Sequence, residues 1–285
     1  MTLPEIEDRL AAAGVDSPRF DALELIAHFE KISRAGAMAG GDFQSPALQD
    51  GVERRCRREP LAYILKQWDF MGHTFRLTDQ CLIPRSDTEL LCSLLIEKLP
   101  AGGRFADLCT GSGCIAIAAL LARRDAQGVG VELYPDTLKV ARENARMHGV
   151  ENRLKLLQGD VCTMELSDSF DWIVSNPPYV TVAEMETLSP EVQLEPARAL
   201  TDGGDGLAFY RSIFSRYPKY LRPGGSLAVE IGWQQGTAVC DIARSAGLTP
   251  VILQDLEGRD RVVSCHLRGA LPHPPKKKLF EKSFF

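Results

Sequence analysis

Long apolar runs and closely paired cysteines are both missing from this sequence of 285 residues. The longest uninterrupted apolar run, residues 114–122, is far too short to cross a bilayer. Residues 1–9 carry acidic side chains and no apolar segment, so we expect no secretory signal, no membrane partner and a cytoplasmic location. None of the eight cysteines has C-x-x-C spacing or a histidine cluster beside it, which argues against a disulfide framework and predicts no metal site.

An excess of basic residues is missing as well. The formal net charge is −5, whereas proteins that bind duplex nucleic acid usually carry a basic excess or a basic stripe. One basic cluster, residues 54–58, lies between Glu53 and Glu59 and indicates a solvated helix face. A second cluster, residues 276–278, lies in a proline-rich tail. Charge therefore does not favour nucleic acid as a partner.

The beginning of the chain has the spacing of helices, and the residues after it have the spacing of short strands. Ser17 followed by Pro18 predicts a helix start, and a further helix is predicted over residues 46–58. Aromatic and β-branched residues at 70–77 predict a hairpin. The predicted units are an N-terminal helical domain with the start of the linker hairpin at 1–75, a second domain at 76–270, and a disordered tail at 271–285.

Strands and helices alternate through the second domain, which predicts an α/β fold with a mostly parallel sheet covered on both faces. A capping box at residues 86–89 predicts a helix that ends at Pro100, and residues 136–148 predict another helix. The predicted strands are 105–108, 129–132, 154–158, 172–175, 226–231, 251–254 and 261–267.

A glycine-rich turn follows the first predicted strand, at residues 107–116. Gly111 and Gly113 allow the backbone to approach a ligand closely. Glu132 ends the next strand, where a carboxylate can accept hydrogen bonds from two ribose hydroxyls. This spacing also matches the dinucleotide fingerprint, so a nicotinamide-dependent dehydrogenase is an alternative.

Two further acids favour S-adenosylmethionine as the ligand of that turn. Asp107 precedes Gly111 by four residues and could pair with a cationic amino group, which a pyrophosphate would not tolerate. Asp160 follows the third strand and could accept from an adenine amino group. Taken singly, each acid is more often a helix cap or a surface carboxylate. Together they follow successive strands, at the edge where doubly wound sheets bind ligands.

The tetrapeptide Asn176-Pro177-Pro178-Tyr179 follows the fourth strand at the same edge. Proline has no N–H, so the backbone there presents carbonyl oxygens. The Asn176 side-chain oxygen and the Pro177 carbonyl could accept both hydrogens of one amino group, with Tyr179 over its flat face. This tip suits a side-chain amide or the amino group of adenine in nucleic acid, and an ordinary Asn-Pro turn is the structural alternative.

Over nearly all of its length to about residue 268, the chain resembles the HemK/PrmC-type class I methyltransferases, which methylate a glutamine N5 of peptide-chain release factors. The resemblance implies a class I (Rossmann-like) methyltransferase sheet with a small N-terminal helical domain. It also implies S-adenosyl-L-methionine as cofactor, class I release factors as partners, and a monomer. The matching motifs are EPLAYIL at 59–65, LIPR at 82–85, Thr88-Glu89, 107–113, FDWIVSNPPY at 170–179, Glu195-Pro196, GGDGL at 203–207, Glu230-Ile231-Gly232 and Asp260-Arg261.

The residue patterns and the resemblance together give the site prediction. Donor binding is predicted for Asp107, Cys109, Thr110, Gly111, Ser112, Gly113, Glu132, Asp160, Val161 and Asn176. Acceptor binding is predicted for Asn176, Pro177, Pro178 and Tyr179, with Asn176, Pro177 and Tyr179 as the catalytic residues; Arg85 and Glu195 match family positions without an assigned role. The departures from the family pattern are Lys66 for a usual glycine, Ser86 for a common proline, Glu132 for the usual aspartate, and Val161 at an often aromatic position.

Several alternatives stay open at the level of the sequence. The acceptor could be a glutamine of a large-subunit ribosomal protein or the N6 of adenine in nucleic acid. The alternative to an enzyme is a nucleotide-binding interaction module that catalyses no reaction. The N-terminal domain could dock a partner, or it could be a lid that only stabilises the second domain.

Overall fold

The computed structural model describes residues 1–267. The predictions for the tail at 271–285 and for residues 268–270 lie outside the described residues. No helix within residues 1–267 is long and apolar enough to cross a membrane.

The N-terminal region consists of short helices around an apolar core of its own, which includes Leu10, Ile26 and Val52. Ser17 occupies the N-cap position of the second helix as predicted, but its side chain makes no capping hydrogen bond. Pro18 at the first helical position fixes this start instead, because its φ is already helical. The helices are α1 (Leu3–Ala12), α2 (Pro18–Glu30), α3 (Arg34–Met38), α4 (Pro46–Cys56) and α5 (Leu61–Leu65).

The predicted hairpin is present as β1 (Gln67–Phe70) and β2 (His73–Arg76), which pair antiparallel. Lys66, between α5 and β1, has a left-handed backbone with φ 57°. That conformation favours glycine. It therefore gives a physical reason for the glycine that the family usually has there.

A seven-stranded sheet forms the rest of the described chain. Its strand order is β5-β4-β3-β6-β7-β9-β8; β3 to β7 run parallel, and β9 lies antiparallel between β7 and β8. The strands are β3 (Arg104–Leu108), β4 (Gln127–Glu132), β5 (Leu154–Gln158), β6 (Phe170–Ser175), β7 (Leu221–Glu230), β8 (Leu248–Gln254) and β9 (Asp260–Leu267). The helices are α6 (Thr88–Lys98), α7 (Cys114–Ala122), α8 (Pro135–Met147), α9 (Val182–Met185), α10 (Pro190–Gln193), α11 (Ala197–Leu200), α12 (Ala208–Arg216) and α13 (Gly236–Ser245), with a 3-10 turn at Pro218–Tyr220.

Helices cover both faces of this sheet, which confirms the predicted α/β class. Trp172 and Val174 of β6 pack in the core that α6, α7 and α8 cover. Ile173, between them, packs in the core that α12 and α13 cover. Side chains of a strand alternate between the two faces, so a strand buried on both sides is apolar throughout.

Two local predictions differ from the structure. The capping box at 86–89 is wrong: Asp87 is the N-cap of α6 and makes no side-chain cap. Glu89 instead accepts the Met71 N–H of the hairpin turn at 2.9 Å. Strand β8 begins earlier than residue 251 and includes Pro250, which is tolerated because β8 lies at the edge of the sheet.

The basic cluster at 54–58 is not a solvated face. Arg55 is only 5% exposed and pairs with Asp21 at 2.6 Å and with Glu191 at 2.9 Å. Arg58 donates to both carboxylate oxygens of Glu191, at 2.5 and 2.7 Å. These arginines therefore connect the N-terminal helices to α10 in the second domain.

Candidate active site

The carboxyl ends of the central strands meet at one edge of the sheet. Leu108, at the end of β3, pairs with Val131 of β4 and with Ser175 of β6. Because the strands are parallel and in this register, the segments that follow them all project from the same edge. Two cavities open there, and Asn176 lines both of them.

The first cavity is surrounded by the glycine-rich turn and by the ends of β4, β5 and β6. Most of the predicted donor-binding residues line it, namely Cys109, Thr110, Gly111, Ser112, Glu132, Asp160, Val161 and Asn176. The structure thus brings together residues from four successive strand ends, as the sequence pattern predicts.

The glycine-rich turn presents open backbone toward this cavity. Gly111 has a left-handed φ of 59°, and a Cβ there would meet no atom within 4 Å. The turn is supported from behind, since Thr110 Oγ1 donates to Asp107 Oδ2 at 2.6 Å and Asn144 Nδ2 donates to the Ser112 carbonyl at 2.9 Å. A ligand can therefore lie directly against the backbone of Gly111.

Glu132 connects the turn to the end of β4. Its Oε2 accepts the Gly111 N–H and its Oε1 accepts the Tyr134 N–H, both at 3.1 Å. Burial raises the pKa of this carboxyl, and the two N–H groups act in the opposite direction. Each carboxylate oxygen has a further lone pair, so Glu132 can still accept hydrogen bonds from a ligand.

Two predicted donor residues lie behind the cavity wall. Gly113 begins the turn into α7 and packs against Ile117 and Ala141. Asp107 is fully buried beneath Thr110, and burial raises its pKa to about 7. Its Oδ1 has no hydrogen-bond partner among residues 1–267. The structure thus does not bring Asp107 onto the wall itself.

The outer wall of the first cavity is formed by segments for which the sequence predicted no role in the site. The Arg198 guanidinium lies 4.0 Å from the centre of the Tyr134 ring and donates to Gln80 Oε1 at 2.7 Å. Thr137 donates to the Gln80 carbonyl, also at 2.7 Å. Such contacts join distant segments and leave no local pattern in a sequence.

The second cavity contains most of the predicted acceptor-binding residues. Asn176, Pro177, Tyr179 and Arg85 line it, whereas Pro178 lines the first cavity. Glu195 lines neither cavity. It is 4% exposed, accepts the Ile83 N–H at 3.1 Å and forms an ion pair with Arg85. Glu195 therefore holds the backbone at Ile83 and the Arg85 side chain in place.

The Asn-Pro-Pro-Tyr tip is fixed by contacts from three directions. Asn176 Nδ2 donates to Thr88 Oγ1 at 3.1 Å, which leaves the Asn176 oxygen for another partner. The Tyr179 hydroxyl donates to Glu230 Oε1 at 3.3 Å, and Gln235 Nε2 donates to the Tyr179 carbonyl at 2.9 Å. Sequence reasoning assigned no role to Thr88, Glu230 or Gln235. Thr88 and Glu230 belong to motifs that match the family, whereas Gln235 belongs to none of them.

The wall of the first cavity fits an adenosyl group with a cationic substituent better than a pyrophosphate. It contains the carboxylates of Glu132 and Asp160. Arg198 is the one basic side chain among the described residues that line it, and its guanidinium lies over Tyr134. The order of the strands is that of a class I methyltransferase fold. The first cavity and the Asn-Pro-Pro-Tyr tip lie where that class binds its substrates.

Comparison with known proteins specifies the family. Residues 86–222 match the methyltransferase small domain, and residues 2–65 match the PrmC N-terminal domain. The release factor glutamine methyltransferase of Cereibacter sphaeroides is 42% identical over 92% of this chain and 96% of its own length. That of Caulobacter vibrioides is 39% identical over 90% and 92%. This chain therefore belongs to the PrmC/HemK family of release factor glutamine methyltransferases.

A solved structure supports the fold independently of that family. A methyltransferase from Pyrococcus furiosus superposes with a TM-score of 0.55 at 16% identity, covering 75% of this chain and 97% of its own. At this level of identity the likeness concerns the fold alone. Membership of the methyltransferase family also removes the dehydrogenase alternative.

Proposed function

We propose that this protein transfers a methyl group from S-adenosylmethionine to the side-chain amide nitrogen, N5, of the glutamine in the Gly-Gly-Gln motif of peptide-chain release factors. The observation that carries this proposal is the position of Asn176, which lines both cavities. A donor in the first cavity and an acceptor amide in the second would meet at this side chain. The names of the curated relatives support the same acceptor.

The residues of the first cavity would hold the donor by its polar groups. Glu132 would accept from the ribose hydroxyls, and Asp160 from the adenine amino group. Asp107 would contribute negative charge from beneath Thr110 toward the cationic amino group. S-adenosylmethionine would supply the methyl group: as the acceptor nitrogen bonds to the methyl carbon, the bond between that carbon and the sulfonium sulfur breaks. S-adenosyl-L-homocysteine then leaves, and the amide proton passes to solvent.

The residues of the second cavity would prepare the acceptor. An amide nitrogen is a weak nucleophile because its lone pair is delocalised into the carbonyl. The Asn176 oxygen and the Pro177 carbonyl would accept its two hydrogens and so orient the lone pair. Tyr179 would cover the flat face of the amide. Positioning of this kind can supply roughly 7–11 kcal/mol of barrier reduction, so neither a metal nor a covalent nucleophile is needed.

The charges around the second cavity favour a protein acceptor over nucleic acid. The two arginines that line it are already paired: Arg85 with Glu195, and Arg261 with Asp87 at 3.0 Å and Asp255 at 2.9 Å. Nucleic-acid sites need cations that are free to neutralise phosphates. Together with the net charge of −5, this makes adenine N6 the weaker candidate.

The N-terminal helices would help to dock the release factor. Through Arg58 and Glu191 they contact the segment of α9, α10 and α11, which supplies Glu184, Val192 and Leu200 to the second cavity. A partner that inserts a loop into this cavity would pass close to them. We propose the boundaries 1–75 and 76–270 for the docking and catalytic units.

A transfer assay with labelled S-adenosylmethionine tests the proposal. Purified release factor, a large-subunit ribosomal protein, RNA and DNA are offered in parallel to the full chain. We expect label in the release factor alone, and no label in a release factor whose Gly-Gly-Gln glutamine is changed to alanine. Label in the ribosomal protein or in nucleic acid, with none in release factor, would refute the proposed acceptor.

A further inference from the structure

Three side chains from separate segments meet at the outer wall of the first cavity. Gln80 lies between β2 and α6, Tyr134 lies between β4 and α8, and Arg198 belongs to α11. The Arg198 guanidinium lies 4.0 Å from the centre of the Tyr134 ring, and its Nη2 donates to Gln80 Oε1 at 2.7 Å. All three residues line the cavity. Because none of them belongs to a strand, these contacts can open while the strand pairing of the sheet stays intact.

Gln80 is anchored independently of this contact, whereas the Arg198 guanidinium depends on it. The Gln80 carbonyl accepts from Thr137 Oγ1 of α8 at 2.7 Å. Arg198 Nε is buried and has no hydrogen-bond partner within residues 1–267. A buried N–H without a partner is costly. A ligand with oxygen acceptors, such as S-adenosylmethionine, would remove this cost when it occupies the cavity.

Helix α11, which carries Arg198, forms a wall of both cavities. Ala199 lines the first and the second cavity, and Leu200 lines the second. The Leu200 carbonyl accepts the N–H of Val180, the residue that follows the Asn-Pro-Pro-Tyr tip, at 2.8 Å. A movement of α11 that takes Arg198 away from Tyr134 would therefore also displace the wall of the second cavity.

We propose that Arg198 is a positioning residue that closes the first cavity over the donor through its contacts with Gln80 and Tyr134. An acceptor seated against Ala199 and Leu200 holds α11 in place and so keeps this closure shut. The donor therefore enters before the acceptor, and S-adenosyl-L-homocysteine leaves after it. This inference rests on the proposed function of both cavities, and it assigns no chemical step to Arg198.

The Arg198 contact has a strength that suits a closure which opens in every turnover. A cation over an aromatic face changes a binding constant by roughly two- to thirtyfold, depending on how far it is shielded from water. Its loss should therefore speed the dissociation of the donor without abolishing donor binding. Coupling between two ligands is reciprocal, so a product held by this closure should raise the affinity for the acceptor by the same factor as the acceptor raises the affinity for the product.

The first experiment needs no acceptor. Labelled S-adenosyl-L-homocysteine is bound to the full chain, and its dissociation is followed after an excess of unlabelled ligand is added. We expect Arg198→Ala and Tyr134→Ala each to accelerate dissociation by about tenfold. The double variant should be no faster than either single variant, because the two side chains act through one contact. Tyr134→Phe keeps the ring and should retain slow dissociation, which separates the contact from a general loss of structure.

Lys219→Ala is the matched control for that experiment. Lys219 Nζ lies 5.0 Å from the centre of the Tyr220 ring, and neither residue is part of the lining of the two cavities. This variant also removes a cation from an aromatic face, so its dissociation rate should equal that of the wild type.

The second experiment repeats the measurement with saturating release factor. We expect release factor to slow the dissociation of S-adenosyl-L-homocysteine from the wild type by at least about fivefold, the lower range of couplings between binding sites. Arg198→Ala should show no such slowing. Release factor that is methylated by the wild type but does not slow this dissociation would overturn the coupling through α11.

The two experiments separate this inference from the proposed function. A wild type that leaves release factor unlabelled, together with faster dissociation from Arg198→Ala, would refute the acceptor and support the closure. Unchanged dissociation from Arg198→Ala would overturn the closure whatever the acceptor is, and so would equal slowing by release factor in the wild type and in Arg198→Ala. A wild type that binds no S-adenosyl-L-homocysteine would refute the donor cavity and this inference with it.

Discussion

Arg58 and Glu191 form a bidentate ion pair between the N-terminal helices and α10, with Nε to Oε1 at 2.5 Å and Nη2 to Oε2 at 2.7 Å. Arg55 donates to the same carboxylate at 2.9 Å. The pair lies in the segment of α9, α10 and α11 that lines the second cavity, so the N-terminal helices are mechanically connected to the wall of that cavity. The predicted solvated helix face at residues 54–58 does not account for this connection.

Glu191→Gln should destabilise the protein in a pH-dependent way. Burial alone would raise the pKa of Glu191, but the hydrogen bonds from Arg58 and Arg55 outweigh it and hold the pKa at about 2. A lowered folded-state pKa stabilises the fold above the unfolded value of 4.5, and this stabilisation is lost as the pH falls toward 2. We expect a loss of about 2 kcal/mol of unfolding free energy at pH 7, measured by urea denaturation.

The exposed pair of Glu257 and Arg259 provides the control for that measurement. Glu257→Gln should change the unfolding free energy by less than about 0.5 kcal/mol. Equal stability of Glu191→Gln and the wild type at pH 7 would contradict the role given to Glu191.

Asn176→Ala should separate chemistry from donor binding. It would remove one of the two groups that we propose as acceptors for the substrate amide, and groups of this kind are worth about 10²–10³ in kcat. Because other residues hold the donor, calorimetry should find its affinity within about two-fold of the wild type. Asn152→Ala, on the surface turn before β5, should change neither quantity. An equal loss of donor affinity in Asn176→Ala would contradict the acceptor role that we propose for Asn176.

Glu132 should control donor affinity. Hydrogen bonds to a charged group contribute about 1.5–3 kcal/mol each, so Glu132→Ala should weaken S-adenosylmethionine binding by at least about tenfold in calorimetry. Glu132→Asp keeps the carboxylate and restores the residue that is usual in the family, so it should retain most of the affinity. Glu143→Ala, on α8, is the control. Unchanged affinity in Glu132→Ala would exclude the ribose contact.

Gly206→Ala should impair transfer through Tyr179. A Cβ at Gly206 would lie 2.2 Å from the Tyr179 carbonyl oxygen, which the Gln235 amide also contacts. Gly203 offers a matched control, because its φ of 77° is similar to the 73° of Gly206 and its Cβ would meet nothing within 4 Å. Both alanine variants should lose about 1 kcal/mol of stability from the left-handed backbone, and Gly206→Ala should lose more because of the close approach to Tyr179. Only Gly206→Ala should also lose kcat, and equal kcat in the two variants would refute this contact.

The sheet could be predicted because its physical signal is local. The apolar residues Trp172, Ile173 and Val174 of β6 lie on both faces of the sheet, and the glycines of the turn after β3 mark a backbone that a ligand can approach. The boundaries failed where tertiary position overrides local preference. Pro250 is tolerated because β8 is an edge strand, and Glu89 contacts the hairpin and does not cap α6.

The candidate site could be predicted only in part for the same reason. Residues that follow strand ends, such as Glu132 and Asn176, share an edge as soon as the sheet is parallel. Contacts between distant segments have no such signal: Asn176 and Thr88 are 88 residues apart in the sequence. The burial of Asp107 behind Thr110 likewise depends on packing that no spacing rule contains.

Mass spectrometry of release factor after reaction with the full chain and S-adenosylmethionine tests directly whether this protein methylates the Gly-Gly-Gln glutamine. We expect one added methyl group, on the amide nitrogen of the Gly-Gly-Gln glutamine, and far less of it after the same reaction time when Asn176→Ala replaces the wild type. A release factor without that methyl group after reaction with the wild type, or with one on another residue, would contradict the proposed function.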